Sequence, residues 1–481
     1  MTQCGSGLLF FKVCLSNFSL SIRLWPSYPL CSPIIQQDFI EAEHTMDPNE
    51  ALINDTDIAE NEDEAYLDPS AAFDVVEDDA NDDGDAPMSD IEDDDEDDAG
   101  EGGADDGPGE IIDEIDMSNN STTYFDKHTD SIFMVGVHPK LPLVVTGGGD
   151  DLGYIWTSHS VPPKLVTTLT GHTDSLIAGG FSADGEWLVT GGMDGRVRVW
   201  RARARGQKWE FWDAVEEVEE VTWVSFHATL PIFAFGANDG SAWVYSLSPK
   251  LELLCTLYGH SSVCTAGVFV PPAQAPAEGD EEEINLITVG DDGVLISWSV
   301  PSAVQNYKIT PVQFHYEAQW INLSLHPSGT SVAVGSADGK VAIVGTRTGS
   351  VIATVDVLGA TGKNDLSEPD QSVEGMAWCE SVGILAVGLV AGVICLFDTG
   401  SWRVRRTLEV GDAVTRIEFV PNSSVLVSSS MDGYLRRWDC RTGEELWKGT
   451  GHSSGILGFA LADGGNTIVT ASDEGVSLVY K

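Results

Sequence analysis

The chain has 481 residues, with 76 Asp+Glu against 25 Lys+Arg and a formal net charge of −51. That balance excludes a protein that grips nucleic acid through its phosphates, which needs clustered cations, and it disfavours a binder of anionic membrane. An apolar fraction of 42% with 14 Trp supports a large core, and 8 Cys without a CxxC pair indicate a reducing compartment rather than a disulfide scaffold.

Charge divides the chain into three segments. Residues 1–45 carry Cys4, Cys14 and Cys31 and an apolar-leaning stretch from Leu8 to Leu30, interrupted by Lys12, Asn17 and Arg23. With no base ahead of the apolar run, this leader fits neither a secretory signal nor a membrane span. The composition changes at Met46, and two readings stay open: a genuine leader, or an extension ahead of a start at Met46. No fold and no function are assigned to it. Residues 46–117 hold 31 acids and no Lys or Arg, including the run from Glu92 to Asp98. Self-repulsion and scarce apolar area predict a disordered acidic tail, either a solubiliser or a polyanion that attracts a basic protein. Ser89 lies in a context suited to an acid-directed kinase. Residues 118–481 form the folded body, with 42 acids against 23 bases, net −19.

The body is a series of repeats. The clearest copy, GHTDSLIAGGFSADGEWLVTGGMDGRVRVW, runs from Gly171 to Trp200: a Gly-His turn, a strand, a Gly turn, a second strand, an Asp-Gly turn and a third strand ending on Trp. The Asp position recurs at Asp150, Asp194, Asp239, Asp292, Asp338, Ala391, Asp432 and Glu474. Six residues further on come Trp156, Trp200, Tyr245, Trp298, Val344, Phe397, Trp438 and Tyr480. Intervals of 41 to 53 residues match four-stranded propeller blades.

On these residues the chain resembles the WD-repeat family over about 121–481. That resemblance implies an all-β propeller in which His, Ser/Thr, Asp and Trp form a hydrogen-bonded tetrad within a blade. The matching sets are His128, Thr146, Asp150 and Trp156; His172, Thr190, Asp194 and Trp200; and His260, Thr288, Asp292 and Trp298. A buried carboxylate and indole N–H each need a partner. Blades five and six lack the His and Trp and are expected to rely on apolar packing. The sequence stops at Lys481, after the third strand of the eighth repeat. The segment from Ser121 resembles a fourth strand, so an N-terminal strand is expected to complete the last blade and seal the ring. Eight blades are expected, with seven as the alternative if the degenerate sixth repeat forms none.

Enzyme motifs dissolve on inspection. GHSSG (Gly451–Gly455) matches G-x-S-x-G but coincides with a Gly-His turn, where a nucleophile elbow has no strand-to-helix corner. GATGK (Gly359–Lys363) lacks the first P-loop Gly. The sequons at Asn120 and Asn422 have no meaning without a secretory route. We assign no catalytic residue, cofactor or metal ligand.

Partner residues are expected on the face carrying the inter-blade and Asp turns. Just before the inner strands stand Asp130, Asp174 and Asp412. Blade three replaces Gly-His by an acidic stretch with Glu216, Glu217, Glu219 and Glu220, followed by Trp223. Glu317 and Trp320 match it in blade five, and Glu374 and Trp378 in blade six. A mouth of one charge sign steers a cationic partner, and the three Trp are expected to anchor Arg or Lys stems. The insertion PPAQAPAEGDEEE in blade four adds Asp280 to Glu283, and the basic loop RARARGQK (Arg201–Lys208) belongs to the opposite rim.

An acidic tail ahead of this ring, with sequence such as YFDKHTDSIFMVGVHP (Tyr124–Pro139), is similar to the angio-associated migratory cell protein family and its fungal ribosome-assembly chaperone relatives. The resemblance implies a cytoplasmic, monomeric chaperone. It would bind a newly made basic large-subunit ribosomal protein of the L-ten (universal L-sixteen) class through that protein's N-terminal segment and deliver it to the pre-60S particle, with no direct nucleic acid or membrane partner. Two rivals stay open: a nuclear acidic chaperone of histones or another ribosomal protein, and a general protein-interaction scaffold.

Overall fold

The structure is a computed structural model that describes residues 118–272, 283–362 and 366–481. The leader, the acidic tail with Ser89, and Asp280 to Glu282 of the blade-four insertion lie outside the described residues.

Eight four-stranded antiparallel sheets follow one another as blades. In blades 1 to 7 the strands run outward in chain order, so short hairpins make the connections within a blade, apart from the longer 271–283 insertion between the first two strands of blade 4. The second strands are buried on both faces, as in Leu143–Gly148, Trp187–Gly192 and Ile384–Leu389, and accordingly read as β-branched and small residues. Outer strands such as Val304–Ile309 are mostly exposed. Burial therefore peaks at the second strand, and innermost strands such as Leu176–Phe181 and Trp320–Leu325 are mostly half-buried.

The eighth blade takes its outer strand from the other end of the described chain. Thr123–Phe125 pairs antiparallel with Ser477–Tyr480, with Tyr124 opposite Leu478. The Thr122 N–H donates to Val479 O at 2.7 Å. Phe125 then stacks on Trp156 of blade 1, centroids 4.8 Å apart and rings 4° from parallel. Burying that ring contributes about 2 kcal/mol to closure. The ring has eight blades, including the sixth, whose apolar packing (Val393, Cys395, Phe397) replaces the missing polar network.

The core lies between blades. One cluster joins Trp223, Ala234 and Val244 of blade 3 to Leu286, Ile296 and Trp298 of blade 4. Every inner strand also carries a bulge at its second residue, from Phe133 in blade 1 to Leu457 in blade 8. The extra residue frees a side chain from the pleat. In three blades it is a Thr whose hydroxyl donates to the next blade: Thr222 to Cys264 O, Thr265 to Trp320 O and Thr415 to Ile456 O, at 2.6, 2.7 and 2.6 Å. No helix among the described residues is long and apolar enough to cross a membrane.

Candidate protein-interaction face

The turns of one face are held by polar networks. In blade 2, His172 Nδ1 lies 3.1 Å from Asp194 Oδ1 and Nε2 lies 2.9 Å from Thr190 Oγ1, while Trp200 Nε1 donates to the same Oγ1 at 3.4 Å. One proton arrangement satisfies every group: indole N–H to hydroxyl, hydroxyl to Nε2, and Nδ1–H to carboxylate. Burial pulls the His172 imidazole below its ordinary value, favouring this neutral form. Blade 1 repeats the network with His128, Asp150, Thr146 and Trp156, and blade 4 with His260, Asp292, Thr288 and Trp298. Blade 8 builds it on a longer acid, with His452 Nδ1 2.6 Å from Glu474 Oε1 and Nε2 2.7 Å from Thr470 Oγ1. These carboxylates are occupied inside their own blades.

Around them the charge is segregated by face. Among the described residues, the inter-blade loops hold ten Asp/Glu and the Asp-turn loops another ten, against a single base, Lys127. Loops of the opposite face hold five acids and seven bases, six of those bases in the hairpins between third and outer strands. The loop Arg201–Lys208 is one such hairpin; there Arg201 packs over Trp187 and Trp212, 4.8 and 5.1 Å from their ring centroids. Pro271 and Glu283, which bound the blade-four insertion, lie on this opposite face.

The expected acids fall on the acidic face. Asp130, Asp174 and Asp412 are exposed and stand alike, each accepting a hydrogen bond from the next residue's N–H at 2.7 Å. Glu217, Glu219 and Glu317 are exposed, and Glu220 accepts from Asn238 Nδ2 at 3.3 Å. Glu216 ends an outer strand and pairs with Arg196 at 2.9 Å. Glu374 is half-buried at a bulge, accepting from Ser372 Oγ at 2.9 Å.

The three tryptophans do not act as mouth anchors. Trp320 is fully buried and its Nε1 donates to Gly293 O at 2.9 Å. Trp223 and Trp378 are each 8% exposed, and their N–H groups donate to Cys264 O and Ser324 O at 3.1 and 3.0 Å. Trp223 and Trp320 flank an inner strand's bulge and wedge between neighbouring blades, whereas Trp378 stands near the far end of its strand, edge-on to His326 and Trp402 of opposite-face loops; in each case a large ring with a satisfied N–H stabilises packing. The expectation of exposed anchors is corrected accordingly.

Asp151 belongs to the face and escaped the sequence reading. The residue after the turn Asp is Gly in the seven other blades, at φ between 72° and 85°, whereas blade 1 places Asp151 there at φ 60°. Burial, and then the carboxylates of Asp174, Asp150 and Asp194, hold its carboxyl above the usual range. The repeat alignment carried this signal, because an acid stood in a glycine slot. Asp291, beside the turn Asp292, is likewise raised by burial and by that neighbour.

Hydrogen-bonded His–Ser/Thr–acid networks hold the turns and a surplus of carboxylates lines the loops of one face, which defines an eight-bladed WD-repeat propeller with an acidic face. The family model "WD domain, G-beta repeat" matches residues 163–201 and 402–439. Ribosome assembly protein SQT1 of Saccharomyces cerevisiae is 38% identical over 387 residues, spanning 76% of this chain and 88% of the relative. Human angio-associated migratory cell protein is 27% identical, over 77% of this chain and 82% of its own length. The crystal structure of Chaetomium thermophilum Sqt1 bound to the N-terminus of ribosomal protein L10 superposes with a TM-score of 0.66 at 31% identity, covering 76% of this chain and 100% of that one. The chain belongs to the family of ribosome assembly protein SQT1 and angio-associated migratory cell protein.

Proposed function

We propose that the protein is a dedicated chaperone that captures newly made ribosomal protein L10 by its basic N-terminal segment and delivers it to the pre-60S particle. The observation that carries this reading is the face whose inter-blade and Asp-turn loops, among the described residues, hold twenty carboxylates against one lysine, with strand-end bases such as Arg196, Lys340 and Arg436 pairing only a few of them. A free ribosomal protein is a polycation that binds RNA indiscriminately, and a focused negative potential competes for it and speeds capture. The related Chaetomium Sqt1, solved with the N-terminus of L10 bound, supports the choice of client. The function is binding and not catalysis, the protein acts as a monomer, and capture takes place in the cytoplasm.

Affinity purification of the tagged chain from translating cells, with mass spectrometry of what accompanies it, tests the proposal. L10 is the expected product, and its absence refutes the client. Reversing Glu217, Glu219 and Glu220 to Lys should lower capture by up to about a hundred-fold, since each exposed pair contributes up to about 1 kcal/mol. Unchanged capture by a folded triple variant moves the site away from blade 3.

A further inference from the structure

The residue just before each blade's turn position lies against the inter-blade loop of the next blade. In blade 7 it is Met431, and a Cβ built on Gly455, the residue ahead of blade 8's inner strand, would sit 2.6 Å from Met431 Cε. Five blades fill this position with glycine or an apolar residue. Asn238 and Asp291 hydrogen-bond within their own blades, to Glu220 and Ser262. Blade 8 differs. Its Asp473 reaches across the seam where the two ends of the described chain meet, and Ser131 Oγ of blade 1 donates to Asp473 Oδ1 at 2.6 Å, over a sequence separation of 342. The second carboxylate oxygen accepts from Ser454 Oγ of blade 8 at 3.0 Å. Among the described residues, Asp473 is the one residue at this position whose side chain bonds the following blade.

The clasp grips the residue beside an exposed acid. Ser131 is buried, and its N–H donates to Asp130 Oδ1 at 2.7 Å while its carbonyl accepts from Gly149 N–H at 2.9 Å. Asp130 Oδ2 rests over Gly149, 3.0 Å from where a Cβ would stand. Gly475, at φ 75°, brings the blade-8 turn so close that a Cβ there would lie 2.9 Å from Asp130 O. The loop carrying Asp130 is thus held by blade 1 on one side and by blade 8 on the other. Blade 2 repeats the same Asp-Ser pair, with Ser175 N–H donating to Asp174 at 2.7 Å, but the position facing it in blade 1 is Gly149, which has no side chain to offer. Asp174 is therefore the unclasped counterpart within the same ring. A carboxylate already fixed in place loses less freedom when a cation binds it, so ordering the loop in advance adds to affinity without adding a contact.

We propose that Asp473, acting through Ser131, is a positioning residue that presents Asp130 to a cationic side chain of the client. The inference rests on the chaperone reading above and ties client capture to closure of the ring, because the acid that meets the client is set by a bond across the closing seam.

The test uses the full chain and a fluorescent synthetic peptide covering the N-terminal segment of ribosomal protein L10, read by anisotropy. Ser131→Ala, which changes no charge, should weaken binding about five-fold, the loss expected for one hydrogen bond that orders a carboxylate. Asp473→Asn keeps an acceptor for the serine hydroxyl and should lose less than Asp473→Ala at every salt concentration. Double-mutant cycles separate positioning from a structural role. In an Asp130→Asn background Ser131→Ala should cost nothing further, whereas in an Asp174→Asn background it should still cost about five-fold. Thermal melts identify any variant that fails to fold, and the comparison of Asp473→Asn with Asp473→Ala carries the test if Ser131→Ala does. Binding by folded Ser131→Ala within about two-fold of wild type, or an undiminished loss in the Asp130→Asn background, overturns the positioning role and leaves the chaperone reading intact. So does an equal loss from Asp473→Asn and Asp473→Ala. No binding of the peptide to wild type overturns both.

Discussion

Removing the carboxylate at the centre of a blade network, by Asp194→Ala, should destabilise the ring by an amount the geometry sets. Asp194 accepts from His172 Nδ1, from Thr173 N–H at 2.9 Å and from Arg196 N–H at 3.0 Å, and its side chain is 4% exposed. Truncation leaves the His172 Nδ1–H, on a side chain with 0% exposure, without an acceptor, a loss of about 1–3 kcal/mol. The two backbone N–H groups lie nearer solvent and recover partners in water, so each adds about 0.5–1 kcal/mol. Relief from burying a charge offsets part of the total, leaving about 3 kcal/mol. For a ring of this size that lowers Tm by about 4 °C. Asp194→Asn keeps one acceptor oxygen and should lose about half as much. Calorimetry, paired with hydrogen exchange of the blade-2 turns, reads both values. A stability within about 0.5 kcal/mol of wild type for Asp194→Ala would refute the claim that the network locks the turn.

Stability should fall with acid in two stages. Burial holds the imidazoles of His138, His172 and His326 below their ordinary value, so the unfolded chain takes up protons first as pH drops through about 6.5. Asp150, Asp194, Asp292 and Glu474 titrate below their ordinary values because hydrogen bonds from His and backbone N–H groups outweigh burial, so a steeper loss begins below about pH 4. Denaturant titrations from pH 8 to 3 should show a plateau above about 7, and greater stability at pH 5 than at 7 would contradict the assignment. Trp320→Ala should cost about 3–5 kcal/mol of folding free energy; a folded variant with wild-type stability but weakened client binding would restore that residue to the mouth. Asp151→Gly, which removes a left-handed side-chain backbone and a like charge, should raise stability by about 1 kcal/mol, measured by urea unfolding; a loss of stability would refute that assignment of strain.

The repeat spacing made the ring legible because each blade repeats one turn chemistry, and Asp-Gly followed six residues later by Trp leaves a regular mark in sequence. The closing strand could be read for the same reason, since Thr123–Phe125 resembles any other outer strand. The acidic face was legible as charge placed before inner strands. The tryptophans misled because the bulge at the second residue of each inner strand breaks the in–out alternation, so the sequence alone does not show that Trp223 wedges between blades with its N–H on Cys264 O. Glu474 was passed over as a tetrad member because the expected residue was Asp, yet the longer acid reaches His452 from the same turn.

Backbone hydrogen exchange of the full chain, with and without the N-terminal segment of ribosomal protein L10, tests the central claim most directly. Protection should appear in the inter-blade and Asp-turn loops, strongest from blade 8 through blade 3, and should fade as salt is raised. Protection confined to the hairpins of the opposite face, or indifferent to salt, would contradict the account.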